Sequence, residues 1–252
     1  MAAANRALRE DRIIQHFTQS MYRERDFSGA VRNACKTGKV GEKKLKVIVV
    51  GSSSVGKTAL VDRCCNRQFH SNTALTVGMD VHLERFCILG VPFTLEIWDT
   101  AGQEKHRCIT ASYYKNACVV VIVFDMKNAN QNSWESVIGW HTEVMKHTCS
   151  CGKVHLFLVG TKKDLCTEQE IVDVNTRGIR LAEQINAEYW ILSALTGEKV
   201  DDFFSRVACV AFNAAVGREV EDQEHRNPMH RERDLVDLNV DIAAERQRKC
   251  KC

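Results

Sequence analysis

Between residue 44 and about residue 216 the chain alternates short apolar runs with longer amphipathic stretches. Residues 45–50 form a β-branched run that ends in a glycine-containing loop, the pattern of a buried strand. Residues 81–89 and 93–98 flank Gly90-Val91-Pro92, which predicts a hairpin. Residues 118–124 and 154–159 are continuously apolar, as central strands of a parallel sheet are, and residues 188–192 supply a last strand. A helix is expected from about Lys57, and residues 133–147 and 199–216 carry helical spacing. In the last of these Val200, Phe203, Phe204, Val207 and either Val210 or Ala211 share a face. Strands that alternate with helices predict an α/β fold, a mostly parallel sheet covered on both faces, with ligands at the carboxyl ends of the strands.

The flanks read differently. Residues 1–43 are polar apart from Ile13, Phe17 and Met21 at helical spacing, and form an N-terminal extension to a domain at 44–216. From Gly217 to residue 252 the chain is dense in mixed charge and contains Pro228, which predicts an extended tail. The 252 residues suit one α/β domain with flanking segments. A formal net charge of +3, without a basic stripe interleaved with aromatics, argues against nucleic-acid binding. The opening MAAANRALREDR is charged where a signal peptide needs an apolar stretch, so the 12 cysteines are expected as cytosolic thiols. Cys149 and Cys151 resemble half a metal site, but no second cluster at zinc spacing accompanies them. The apolar run at 117–124 is too short to span a bilayer.

Candidate chemistry starts at residues 51–58, GSSSVGKT, between a predicted strand and a predicted helix. Gly51 and Gly56 let the backbone fold tightly, so that the N–H groups of Ser53, Ser54, Val55 and Gly56 can point at phosphate. Lys57 places a cation on the terminal phosphates, Thr58 offers a hydroxyl to Mg²⁺, and the helix adds its positive end. At residues 98–104, WDTAGQE, Asp99 ends a strand where it can hold Mg²⁺, directly or through its water. Gly102 offers an N–H close to a γ-phosphate, and Gln103 has the donor and acceptor needed to orient an attacking water.

GSSSVGKT, DTAGQE, Thr76 in LTVGMD, TKKD at residues 161–164 and SAL at 193–195 stand in the order and spacing of Ras-like small GTPases. The resemblance covers residues 44–216 and implies a six-stranded Ras-like P-loop domain that binds GTP or GDP with Mg²⁺. It further implies that Thr76 completes the Mg²⁺ ligands and meets the γ-phosphate only in the triphosphate state. Phe69 matches the aromatic that packs against guanine, or is an ordinary buried phenylalanine. Asp164 can accept from guanine N1–H and its exocyclic amine, a pair adenine cannot offer, and the stem of Lys162 can cover the base. Two positions depart from the family: Thr161 stands where Asn is usual, putting its bridge to the phosphate loop in question, and Leu195 stands where Lys is usual. Ser193 and Ala194 keep the pattern, with the Ala194 N–H expected at the guanine carbonyl.

LEIWDTAGQE, the Tyr113-Tyr114-Lys-Asn-Ala run and VGMD resemble the Rab branch, nearest those members with an N-terminal extension. Val81 replaces the usual Phe beside Trp98 and Tyr113, an exposed aromatic patch in Rabs, although Trp98 could equally be core. The chain ends RQRKCKC, and Cys250 and Cys252 resemble a double geranylgeranyl site next to basic residues. The resemblance implies a GTP-hydrolysing switch in vesicle traffic on the cytoplasmic face of Golgi, endosomal, lysosomal or macropinosome membranes. Its implied partners are an exchange factor, a GTPase-activating protein, a GDP-dissociation inhibitor, the prenylation machinery and GTP-dependent effectors. Two rivals are a GTP-binding scaffold with negligible hydrolysis, suggested by Ser53 and Ser54 crowding the γ-phosphate, and a P-loop kinase, which would need an arginine-rich lid not found here.

Overall fold

The computed structural model describes residues 24–70, 76, 78–102, 111–148 and 154–226. Six strands form one sheet: β1 (Lys43–Val50), β2 (Met79–Ile88), β3 (Val91–Thr100), β4 (Ala117–Asp125), β5 (His155–Thr161) and β6 (Ala187–Ile191). Their spatial order is β2-β3-β1-β4-β5-β6, and only β2 and β3 run antiparallel. The helices are α1 (Gly29–Lys36), α2 (Lys57–Cys65), α3 (Ala111–Tyr114), α4 (Gln131–Thr148), α5 (Glu168–Gln184) and α6 (Val200–Arg226). The expected α/β sheet is therefore observed, with six strands.

Strand periodicity divides the core in two. In β1, Leu45, Val47 and Val49 face one layer with α1, α2 and α6; Ile48 and Val50 face the other, with α4 and α5. Every residue of β4 is buried, which explains its unbroken apolar run at the sheet centre. The hairpin turns at Leu89 and Gly90, both at positive φ (50° and 76°), so it is tighter than the expected three-residue turn. Pro92 lies inside β3 but beyond the pairing with β1, which starts at Phe93, so its missing N–H breaks no bond on that side.

Three features differ from the sequence reading. First, the segment before residue 44 is not merely a polar extension. Ser28 caps α1 by accepting from the Val31 N–H at 3.2 Å, and Phe27, Val31, Ala34 and Cys35 are buried in the main core. Phe27 meets the Phe212 ring edge-on at 6.2 Å. With the sheet on one side and α1 on the other, α6 is buried all round at Val207, Ala208, Cys209, Val210, Ala211 and Phe212, rather than along one face. Second, α6 continues past Gly217 to Arg226, where an extended tail was expected. An ion pair from Lys43 to Glu219 fastens that stretch to the start of β1. Third, α5 is an additional helix, and its start is marked in the sequence: Thr167 and Glu170 form a reciprocal capping box. Gly178 leaves room for the Tyr189 ring, which an added Cβ would meet at 2.6 Å. The expected stripe at Ile13, Phe17 and Met21, the pair Cys149 and Cys151, and the terminal cysteines lie outside the described residues. Among the described residues no helix is long and apolar enough to cross a membrane.

Candidate functional site

The site forms where β1, β3, β5 and β6 deliver their carboxyl ends. Beyond Val50 the chain turns through residues 51–56 into α2. Gly51 is required by space, since an added Cβ would lie 2.3 Å from the Val123 carbonyl oxygen. Gly56 is required by conformation: its φ of 98° is left-handed, while the nearest atom to an added Cβ is 3.5 Å away. Lys57 folds back over this loop, its Nζ donating to the carbonyls of Gly51 (2.9 Å) and Ser52 (2.8 Å). Burial pushes its ammonium pKa down to about 8, against the pull of Asp99. A buried cation whose hydrogen bonds among the described residues go to two neutral carbonyls is well placed to gain from an anion.

Thr58, Thr76 and Asp99 converge beside it. The Thr58 hydroxyl donates to Asp99 Oδ2 at 2.6 Å and lies 2.7 Å from the Thr76 hydroxyl, which is itself 3.5 Å from the same carboxylate oxygen. Asp99 is fully buried, and desolvation raises its pKa in spite of Thr58 and Lys57. Its Oδ1 has no hydrogen-bond partner among the described residues. An orphaned carboxylate oxygen beside two hydroxyls is a hard-oxygen donor set, which fits Mg²⁺. Gly102 presses against the same loop: an added Cβ would lie 2.6 Å from Lys57 Nζ, the Ser52 carbonyl oxygen and Ser53 Cα. Gln103 lies outside the described residues.

The other end is built by β5 and β6. Thr161, which stands where Asn is usual and whose bridge was in question, does reach the phosphate loop. Its hydroxyl donates to the Val55 carbonyl, with the Phe124 carbonyl 3.0 Å away as alternative acceptor. Lys162 takes a left-handed conformation (φ 59°) and its Nζ donates to the Ser54 carbonyl and Asp125 Oδ2, both at 2.8 Å. Asp164 accepts from the Ser193 hydroxyl, whose oxygen in turn accepts from the Thr196 N–H at 3.1 Å. Ser193, fully buried, thus orients the carboxylate from behind.

One cavity of about 460 Å³ runs between the two ends. Its walls include Ser53, Ser54, Gly56, Lys57, Thr58, Thr76 and Gly102 at the phosphate-loop end, and Phe69, Thr161, Lys162, Asp164, Ala194 and Leu195 at the other. Val55, Asp99 and Ser193 are not among the lining residues. Phe69 is half-buried and faces the cavity, so it is not an ordinary core phenylalanine. Leu195 is 48% exposed, and its carbonyl accepts from Arg63 Nη2 at 3.0 Å. The sequence reading missed Ala59, His70 and Leu165 as further lining residues; each is a chain neighbour of a motif residue. Outside the cavity, Trp98 is half-buried on the second core layer, with Lys46 Nζ 3.4 Å above its ring and Tyr113 at 6.1 Å, so patch and core are one feature. Val81, 45% exposed, pairs opposite it.

The Ras family model matches residues 46–212. Ras-related protein Rab-34 of Mus musculus is 42% identical over 243 residues, covering 93% of this chain and 91% of its own length. Ras-related protein Rab-36 of Homo sapiens is 38% identical over 237 residues, covering 90% and 88%. Ras-related protein Rab-4 of Dictyostelium discoideum is 34% identical over 160 residues, covering 64% and 75%. With the matched model covering the sheet, the phosphate loop and both ends of the cavity, the chain belongs to the Ras family and is a Rab-type small GTPase.

Proposed function

We propose that this Rab-type GTPase, which binds and hydrolyses GTP and regulates membrane traffic, holds its nucleotide along the cavity with the phosphates at Lys57 and the base at Asp164. The observation that carries the assignment is the convergence of Lys57, Thr58, Thr76, Asp99 and Gly102 at one end of a cavity that has Asp164 and Ala194 at its other. Thr58, Thr76 and Asp99 would hold Mg²⁺, which would supply positive charge to neutralise the phosphate oxygens. Water attacks the γ-phosphorus in line while the bond to the β–γ bridging oxygen breaks, which releases GDP and phosphate. Lys57 neutralises charge on the terminal oxygens, the Gly102 N–H meets the γ-phosphate, and Gln103 orients the water. An activating partner supplies an arginine worth about 10³–10⁵ in rate. Because Thr76 and Gly102 engage only the triphosphate, effectors read the loops that those contacts order. The scaffold with negligible hydrolysis is the less favoured reading, because the family is one of GTP-hydrolysing enzymes.

The exchange factor, GTPase-activating protein, GDP-dissociation inhibitor and prenylation machinery are partners proposed by family. So is lipid anchoring at Cys250 and Cys252 to the cytoplasmic face of Golgi, endosomal, lysosomal or macropinosome membranes. The test is paired. Thr58→Asn is expected to weaken GTP more than GDP, and Gln103→Leu to slow activated hydrolysis; equal affinity changes in the first, or turnover within about twofold in the second, overturns the assignment. Changing both Cys250 and Cys252 to Ser is expected to move the protein to the soluble fraction with nucleotide binding intact. A double variant that still pellets with membranes in high salt removes the lipid anchor.

A further inference from the structure

The phosphate loop is tied to its surroundings in two places. Its second half is held from the base side, by Thr161 on the Val55 carbonyl and Lys162 on the Ser54 carbonyl. Its first half is held from the opposite side, where the Ser52 and Ser136 hydroxyl oxygens lie 2.6 Å apart, at the short end of the range for O–H···O bonds. Ser136 belongs to α4, a rigid support. Trp134, Val137 and Trp140 on the same helix are buried in the second core layer, and the Trp134 ring packs 4.9 Å from Phe124.

Ser52 is the residue where three lines of contact meet. Its side chain reaches α4; its carbonyl receives Lys57 Nζ at 2.8 Å; and that same carbonyl oxygen is one of the atoms that an added Cβ on Gly102 would strike at 2.6 Å. The position of the Ser52 peptide therefore sets both the seat of the ammonium and the approach of Gly102. Close packing does not enforce that position from the α4 side. Ser52 and Ser136 border a separate cleft of about 250 Å³, with Val137 and Trp140 in its wall, so the loop has room to move there.

We propose that Ser136 is a positioning residue for GTP, acting through Ser52 to hold the first half of the phosphate loop against Lys57 and Gly102. This rests on the nucleotide placement given above. Loss of the tether lets the Ser52 peptide drift toward the cleft, loosening Lys57 in both nucleotide states and the Gly102 seat in the triphosphate state alone. The effect is therefore larger for GTP than for GDP.

The experiment measures dissociation of fluorescent GDP and of a fluorescent non-hydrolysable GTP analogue from the full chain. The proteins are wild type, Ser52→Ala, Ser136→Ala, the double variant, Ser136→Thr and Lys57→Ala. Each alanine single is expected to speed release of the GTP analogue about fivefold and of GDP about twofold. The double variant should match either single, since one bond is removed in all three, and Ser136→Thr, which keeps the hydroxyl, should stay near wild type. Ser136→Ala rates within about 1.5-fold of wild type for both nucleotides, additive effects in the double variant, or a lowered melting temperature with unchanged release overturn the proposal. Lys57→Ala separates it from the reading beneath. If Lys57→Ala also leaves nucleotide release unchanged, the placement itself fails; if Lys57→Ala disrupts binding while Ser136→Ala is silent, only the tether is lost.

Discussion

Gly102→Ala isolates the contact between the phosphate loop and the segment after β3. Gly102 does not have a left-handed φ, so alanine meets no backbone strain there and the obstacle is space alone. The added Cβ would lie 2.6 Å from Lys57 Nζ, the Ser52 carbonyl oxygen and Ser53 Cα, and two of those atoms are backbone. Ordinary contact begins near 3.4 Å, so the segment has to retreat by about 0.8 Å. An N–H that reaches a phosphate oxygen at about 2.9 Å would then stand near 3.7 Å, past the useful range of a hydrogen bond. Losing one hydrogen bond to a charged group costs about 1.5–3 kcal/mol, roughly tenfold to a hundredfold in affinity. That loss falls on GTP, because GDP has no γ-phosphate for Gly102 to meet. Titration of the variant with labelled GDP and a labelled GTP analogue, beside a melting curve, measures it. The expected result is GDP affinity and melting temperature close to wild type, with the GTP-to-GDP affinity ratio lower by at least tenfold. A ratio within twofold of wild type would show that Gly102 does not meet the γ-phosphate.

Three further outcomes follow from single contacts. Thr161→Val removes the donor to the Val55 carbonyl at constant shape; stranding that acceptor costs about 1–3 kcal/mol, so GTP and GDP should both leave about tenfold faster, and unchanged rates would show that the bridge is idle. Asp164→Asn should shift preference from guanine toward xanthine in competition between GTP and XTP, whose 2-oxo group accepts where the guanine amine donates; retained guanine preference would take Asp164 out of the base site. Phe27→Ala empties the contact with Phe212 and should cost about 3–5 kcal/mol in denaturant unfolding, whereas a loss under about 1 kcal/mol would mean that α1 adds little to the core.

The site was legible where local backbone geometry dictates residue type. At Gly51 the Val123 carbonyl leaves no room for a Cβ, and at Gly56 the φ of 98° penalises one, so both glycines are visible in a string of letters. β4 was legible for a related reason: burial on both faces selects apolar residues along 117–124, and the one charged residue, Asp125, stands at the carboxyl end, where it meets Lys162. Where one contact partner sits far along the chain, the letters say little. Ser52 and Ser136 are 84 residues apart, and a serine in a loop and another on a helix predict no meeting.

The same limit accounts for the two misread ends of the domain, and these turn out to be one structural fact. The buried positions of α1, Val31, Ala34 and Cys35, are small and set among polar residues, so the apolar signal is weak until α6 lies beside it. The α6 sequence gives the complementary hint, because residues 207–212 are apolar on every side apart from the helix ends, and a helix covered only by the sheet would leave part of that surface in water. Past Val216 the helix becomes half-exposed and charged, which by composition resembles a tail. Its hold there comes from partners remote in sequence: Glu219 pairs with Lys43, and Arg218 Nη2 lies 3.3 Å from Cys118 Sγ at the start of β4. The surplus of apolar surface on α6 therefore calls for a covering element, and the weak stripe before β1 supplies it. Neither segment alone carries enough burial to announce the pairing, and only the two together account for each other's composition.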